Sequence, residues 1–361
     1  MSPLKTRLLK RIAAEGPMNI ASFMGAALFD PTDGFYPTRD PLGADGDFIT
    51  APEISQMFGE MIGLWCVQSW RDMGRPDRIQ LIELGPGRGI MMSDILRAAK
   101  VDKAFLRAVN VTLIEASPAL EMVQGQTLTG APCPVSWAGS IADAPLGPSL
   151  IIGNEFLDCL PIRQFVKKDG AFFERVVAID PNDKDALIFA LSPAPDKYED
   201  FNAYEDAEDG ALVEICPGIP QFIDDLTERF TGYAGRALMI DYGPARSETG
   251  DSLQALKKHT KADPLAEPGD ADLTARVDFE VLAREGNYGG LAVFGPLPQA
   301  EFLRALGLEA RAALLTRSAP GRADVLARQT ARLTADDQMG QLFKAICLQS
   351  NGLPDPPGFE A

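Results

Sequence analysis

The stretch LIELGPGRGI (81–90) alternates glycine with other residues: Gly85, Gly87 and Gly89, with Pro86 after the first and Glu83 two places ahead of it. Glycines so spaced let a backbone turn tightly and approach a bound molecule closely. The apolar run RIQLIEL before the loop and the amphipathic GRGIMMSDILRAA after it predict strand, loop and helix. The loop's N–H groups would then face an anion or a carboxylate from a helix N-terminus. Glu115 ends the next apolar run, VNVTLIEA, where a carboxylate can accept both hydroxyls of a ribose. A later run, SLIIGNEF, delivers Asn154 and Glu155, with Asp158 just beyond.

Three ligands compete for such a loop. A phosphate loop needs G-x-x-x-x-G-K-[ST], and Arg88 and Gly89 stand where that pattern would put other residues. A dinucleotide loop needs G-x-G-x-x-G, whereas here the third glycine comes one residue early and Ile90 takes its place. S-adenosylmethionine carries a carboxylate and an amine at one end, so it needs N–H donors together with an acid, which Glu83 supplies. Glu115 would serve the ribose of either nucleoside cofactor and does not choose between them.

Composition narrows the partners. With 51 acidic and 34 basic residues the chain has a formal net charge of −17, which argues against a nucleic-acid binder and fits a soluble protein. No apolar run approaches the roughly 20 residues of a membrane span. Cys66, Cys133, Cys159, Cys216 and Cys347 are odd in number and widely spaced, and His259 is the single histidine. The expectation is no metal, reduced thiols and a cytosol-like compartment. The basic, amphipathic start MSPLKTRLLKRIAAEG reads as a first helix packed on the body, with a transit-like segment as the competing reading.

These residues need a frame. Short strands and helices alternate from residue 78 to about 155, which predicts a parallel α/β sheet. Residues 1–75 read as a helical N-terminal lobe with a long loop rich in Gly, Pro and Asp, and 76–346 as the core. Excursions near 161–235 and 245–290 are expected to form a lid over the carboxyl ends of the strands. The first holds a hairpin about Lys168, Asp169 and Gly170, then an acidic loop and the amphipathic PQFIDDLTERF. Residues 347–361 read as a loose tail.

Several strings, taken together, resemble the MidA-type methyltransferases, whose mitochondrial members assist assembly of respiratory complex I. They are DGFYPTRDPLGADGDFITAPEISQMFGEMIGLW, LIELGPGRG, GNEFLDCLPIRQF, ALMIDYG, PGDADLTARVDF, GPLPQAEFLRALG and MGQLFKAI, in order from about residue 30 to 346. Pro298 stands where the family often has threonine. The resemblance implies a Rossmann-like class I methyltransferase core with inserted lid segments, S-adenosyl-L-methionine as cofactor and a protein substrate. It further implies symmetric dimethylation of an arginine in a complex I subunit. Two alternatives stand beside it: a small-molecule methyltransferase, and a non-catalytic assembly factor that keeps the cofactor fold. A homodimer is compatible with either. The site would be cytoplasmic in a bacterium and in the mitochondrial matrix in a eukaryote.

An arginine acceptor must be aligned and must finally lose a proton, and carboxylates serve both needs. Glu155 is the first choice for holding the guanidinium, Asp158 the second, and Asn154 contacts cofactor or substrate. The competing reading has Glu155 capping a helix and Asp158 pairing with Arg163. Glu214 is a candidate second carboxylate. Asp241, Tyr242, Asp272, Thr274 and Asp278 are candidates for the rim and lid. Gly46, Asp47, Phe48, Thr50, Pro52, Glu53 and Ser55 match the family and would close over the methionine end. His259 suits a surface or lid position.

Overall fold

The computed structural model describes residues 2–38, 50–194, 199–257 and 260–360. The chain enters through α1 (Pro3–Glu15), whose buried Leu4, Leu8 and Ile12 recur every four residues on one face. Ser2 caps it by accepting the Lys5 N–H at 3.1 Å. The two-residue strand β1 (Met18–Asn19), α2 (Ile20–Phe29) and the single turns α3 (Phe35–Thr38) and α4 (Ala51–Ile54) follow. Then α5 (Gln56–Asp72), capped by Ser55, buries Phe58, Met61, Ile62 and Trp65.

Strand and helix then alternate as the pattern predicts: β2 (Ile79–Leu84), α6 (Ile90–Ala98), α7 (Lys103–Ala108), β3 (Val109–Ile114), α8 (Pro118–Thr127), β4 (Val135–Ala138) and β5 (Ser149–Asn154). An antiparallel sheet is inserted next, from β6 (Arg163–Lys168), β7 (Ala171–Asp180), β8 (Asp183–Pro193) and β9 (Leu212–Ile215). The core resumes with α9 (Gly218–Phe230) and β10 (Gly235–Tyr242). A second insertion holds β11 (Gln254–Lys257), β12 (Thr260–Ala262) and β13 (Asp272–Thr274). The chain closes with α10 (Phe279–Tyr288), β14 (Ala292–Pro298), α11 (Gln299–Ala305), the hairpin α12 (Leu308–Ser318) and α13 (Ala323–Thr334), the turn α14 (Met339–Leu342), and β15 (Phe343–Gln349).

Among the described residues the core sheet runs β14-β15-β10-β5-β2-β3-β4. The five strands from β10 to β4 are parallel, and β15 is antiparallel to both its neighbours. The order reverses between β2 and β5, so the crevice for a ligand opens at their carboxyl ends. Residues alternate between the two faces. Leu81, Leu113 and Ile152 pack with the buried residues of α5 and α6, while Ile82, Ile151 and Met239 pack with those of α9 and α10. This is a Rossmann-like α/β core. A third apolar cluster joins distant segments: Leu4, Leu8 and Phe23 from the start, Val177 and Leu187 from the first insertion, and Leu265 and Leu273 from the second.

Several expected boundaries move. The helix α5 covers a face of the core sheet, so the core begins before residue 76. The first excursion ends at Ile215, because the apolar stripe of α9 packs on the sheet. The second ends before α10 for the same reason. The expected tail from 347 begins inside a strand: β15 lies between β10 and β14, with Cys347 and Leu348 fully buried. Beyond it Phe359 packs on Phe302, ring centroids 5.1 Å apart, so this segment is held rather than loose.

Candidate active site

The glycine loop leaves β2 at Leu84. Gly85, Gly87 and Gly89 all take positive φ (58°, 54° and 77°), which a side chain would strain. A Cβ on Gly85 would also stand 3.2 Å from the Phe156 ring. Glu83, the acid ahead of the loop, is 1% exposed. Its Oε2 is buried with no hydrogen-bond partner, and burial pushes the carboxyl up to about 8.

Glu115 follows β3. Its Oε1 accepts the N–H groups of Ala116 (2.9 Å) and Ser117 (2.8 Å), and its Oε2 accepts from Gln124 Nε2 (2.8 Å). Burial nonetheless raises its pKa, with those bonds pulling the other way. Gln124, fully buried on α8, also donates to the Gly87 carbonyl at 2.7 Å, while its Oε1 accepts the Trp137 indole N–H at 2.7 Å. One amide thus ties the glycine loop to Glu115, and the indole fixes which way it points. Nothing in the pattern of residues announces this, because a mid-helix glutamine carries no positional signal.

Glu155 stands at the end of β5 with φ 51°, unusual for a side-chain-bearing residue. Its N–H donates to the Ile240 carbonyl at 2.9 Å. Oε1 accepts the Ala51 N–H from α4 and the Asn154 amide, each at 3.1 Å. Burial raises this carboxyl to about 7. Asn154 Oδ1 is buried without a partner. The residues after Glu155 are organised by Asp241, 1% exposed at the end of β10. Its Oδ2 accepts the successive N–H groups of Phe156 (3.0 Å), Leu157 (2.8 Å) and Asp158 (3.2 Å), and its Oδ1 that of Tyr242 (2.8 Å). Burial, then the charges of Asp241, Asp272 and Glu155, push Asp158 well above the carboxylate range. The expected Arg163 partner is elsewhere: Arg163 forks onto Glu174, at 2.7 Å to each oxygen.

The N-terminal elements and the second insertion supply the far wall, where the Tyr36 hydroxyl donates to the Asp272 carboxylate at 3.1–3.2 Å. Together these residues enclose a cleft of about 480 Å³. Among its described lining residues seven bear carboxylates and one, Arg88, a guanidinium. Glu83, Gly85, Pro86, Gly87, Glu115, Thr50, Pro52, Asn154, Glu155 and Asp158 all line it. Gly89 instead begins α6 beside Gln124, and Thr50 makes no side-chain cap. Tyr242 and Thr274 bond to each other at 2.7 Å, and Asp278 caps α10.

Glu214 is not brought to the cleft. It lies on β9 in the inserted sheet, where it accepts from Gln164 Nε2 (2.7 Å) and from the N–H (3.0 Å) and hydroxyl of Ser252. The carboxyl ends of strands gather a site only in the parallel core sheet, and β9 is not part of it. Gly46, Asp47, Phe48 and His259 lie outside the described residues.

The sequence profile of the family described as "Putative S-adenosyl-L-methionine-dependent methyltransferase" matches residues 61–297. The human mitochondrial protein arginine methyltransferase NDUFAF7 is 37% identical over 337 residues, spanning 87% of this chain and 76% of that one. Its rat counterpart is 35% identical over 372 residues, spanning 96% and 84%. The chain belongs to this methyltransferase family. A crystal structure of a Burkholderia thailandensis protein bound to S-adenosyl-homocysteine superposes with a TM-score of 0.86 at 25% identity, covering 98% of this chain and 93% of that one.

Membership makes the protein an S-adenosylmethionine-dependent methyltransferase, and the cleft fits that cofactor. The glycine loop offers close backbone approach, and the unpartnered Glu83 Oε2 suits the cofactor's amine. Glu115, held by Gln124, would accept the ribose hydroxyls. Once bound, the cofactor supplies an electrophilic methyl group on a sulfonium. No helix among the described residues is long and apolar enough to cross a membrane.

Proposed function

We propose that the methyl acceptor is a guanidinium nitrogen of an arginine in a protein. The observation that carries this reading is the wall formed by Glu155, Asp158 and Asp272, three carboxylates crowded beside the cofactor cleft. Burial raises Glu155 and Asp158, and the charges of Asp241, Asp272 and Glu155 raise Asp158 further. A guanidinium entering there favours their ionised forms, and its planar fork matches a carboxylate's two oxygens.

Glu155 does the orienting. The Ala51 N–H and the Asn154 amide both hold Oε1, so Oε2 is presented to the substrate. As the new N–C bond forms and the C–S electron pair returns to sulfur, the nitrogen must shed a proton. A carboxylate whose pKa is about 7 is suited to accept it near neutral pH. Glu155→Gln keeps the shape and removes the charge. It is expected to lower kcat by ~100-fold or more while cofactor affinity holds.

The finer reading, symmetric dimethylation of a respiratory complex I subunit, is supported by the resemblance to the NDUFAF7 proteins. Mass spectrometry of complex I subunits from cells with and without the gene tests it, the expected result being one dimethylated arginine that disappears. The acceptor class is tested separately by incubating extract from the deletion strain with enzyme and methyl-labelled cofactor, then hydrolysing the protein. Label in methylarginines is expected, and label confined to another residue or to small molecules overturns the reading.

A further inference from the structure

The helical hairpin α12–α13 has the opposite charge to the rest of the chain. Residues 308–334 hold five arginines against two acids, Glu309 and Asp324, within a protein of net charge −17. Two of these arginines bind the protein itself: Arg311 pairs with the buried Glu60 at 2.7 Å and Arg332 bonds to Gln338, while Glu309 is taken by Arg304 of α11 at 3.2 Å. Arg317, Arg322 and Arg328 are exposed and, among the described residues, pair with no carboxylate.

This positive face adjoins the active site. A groove of about 170 Å³ runs between the hairpin and the junction of α4 and α5, with Ser318, Arg322 and Gln329 on one side and Glu53 and Gln56 on the other; Arg322 is the guanidinium in its described lining, and Arg317 and Arg328 stand on the hairpin outside it. Glu53 also lines the cleft, so one side chain borders both. The Ser55 hydroxyl donates to Gln329 at 3.4 Å across the junction. The charge of Arg332 is felt at Glu155.

We propose that this groove is an exosite that takes an acidic segment flanking the target arginine in the protein substrate. The inference deepens the arginine reading and rests on it. A cation in the acidic cleft and an anion on the basic hairpin together fix the direction in which the polypeptide lies, which is how charge confers specificity. A nucleic acid or an anionic membrane fits less well, because a net charge of −17 repels an extended polyanion that three exposed guanidiniums cannot neutralise.

Four synthetic peptides test the exosite, with Arg or Ala at the centre and either an Asp/Glu block or a Ser block on one side. Binding to the full chain is measured by fluorescence anisotropy with S-adenosyl-homocysteine present. At low salt the acidic block is expected to tighten binding about tenfold for both central residues, in keeping with two or three exposed ion pairs. High salt should abolish that gain. So should Arg322→Glu/Arg328→Glu and, more mildly, Arg322→Gln/Arg328→Gln, each checked by circular dichroism and unchanged S-adenosyl-homocysteine affinity. Equal binding of acidic and serine peptides, or a gain that survives both double variants, overturns the exosite. A single-stranded RNA or phosphatidylserine vesicles that bind better than the acidic peptide, and lose it in the same variants, overturn the choice of partner. Absence of any Arg-over-Ala preference strikes the arginine reading and leaves the exosite standing.

Discussion

Glu83 is a buried carboxylate with one oxygen unbonded, and its protonation is therefore tied to what occupies the cleft. At pH 7 it is mostly protonated, since its pKa is about 8. The cofactor's amine favours the anion, so binding expels a proton. Calorimetry at pH 7 in buffers of differing ionisation enthalpy should show proton release, and affinity should rise with pH until about 8. Glu83→Gln should remove both effects, and no proton release in the native protein would dismiss the amine contact. Gln124→Leu should strand the Gly87 carbonyl, Glu115 and Trp137 at once. We expect cofactor affinity to fall by tenfold or more, about 1.4 kcal/mol or above, with kcat at saturation less affected. At this scale the sequence was legible for position: residue type singled out Gly85, Gly87, Glu83, Glu115 and Glu155, and all of them line one cleft. It was illegible for Gln124 and only half so for Asp241, whose importance lies in four backbone amides that only the fold assembles.

At the scale of elements, the segment from Glu155 to Asp158 is held against its own preference. A non-glycine residue at φ 51° is strained by ~1–3 kcal/mol, and a buried carboxyl adds to that. Glu155→Gly should therefore stabilise the fold by ~1 kcal/mol while abolishing methyl transfer, as read from thermal melts beside a turnover assay. A destabilised glycine variant would mean that the Glu155 contacts to α4 outweigh the strain. Core strands and their helices were readable from alternating apolar runs. The hairpin α12–α13 was passed over, although Leu308 and Leu315, and again Leu326 and Leu333, sit seven apart and all pack on the core. Pro320 and Gly321 mark the turn between them. Glu214 misled because a carboxylate after an apolar run looks the same in an inserted antiparallel strand as in the parallel core.

For the whole molecule, buried acids set the response to pH. Glu83, Glu155 and Asp241 are all raised, to about 8, 7 and 7, and burial is the largest cause in each. Each folded carboxyl keeps a proton that the unfolded chain has released, so stability is lost as pH rises from the ordinary carboxylate range toward 8. Asp30, lowered against burial first by the Asp33 N–H and then by Arg7, and Glu60, lowered against burial by Arg311 and Arg97, act oppositely and lose their contribution as pH falls below that range. The ligand-free protein should melt highest near pH 5, and S-adenosylmethionine should flatten the decline toward pH 8. A Tm that climbs from pH 5 to 8 without ligand would contradict this.

The position of β15 in the sheet has a consequence for how the chain is made. It is translated after both of its neighbours, yet it separates them. β10 must therefore wait with an open edge from residue 242 until residue 343 appears, about 5–20 s at ordinary elongation rates. Among the described residues β14 has no other partner in the core sheet during that interval. A ribosome stalled in this window holds an apolar strand ready to pair with another nascent chain, so premature arrest there should yield aggregates rather than a soluble, inactive fragment.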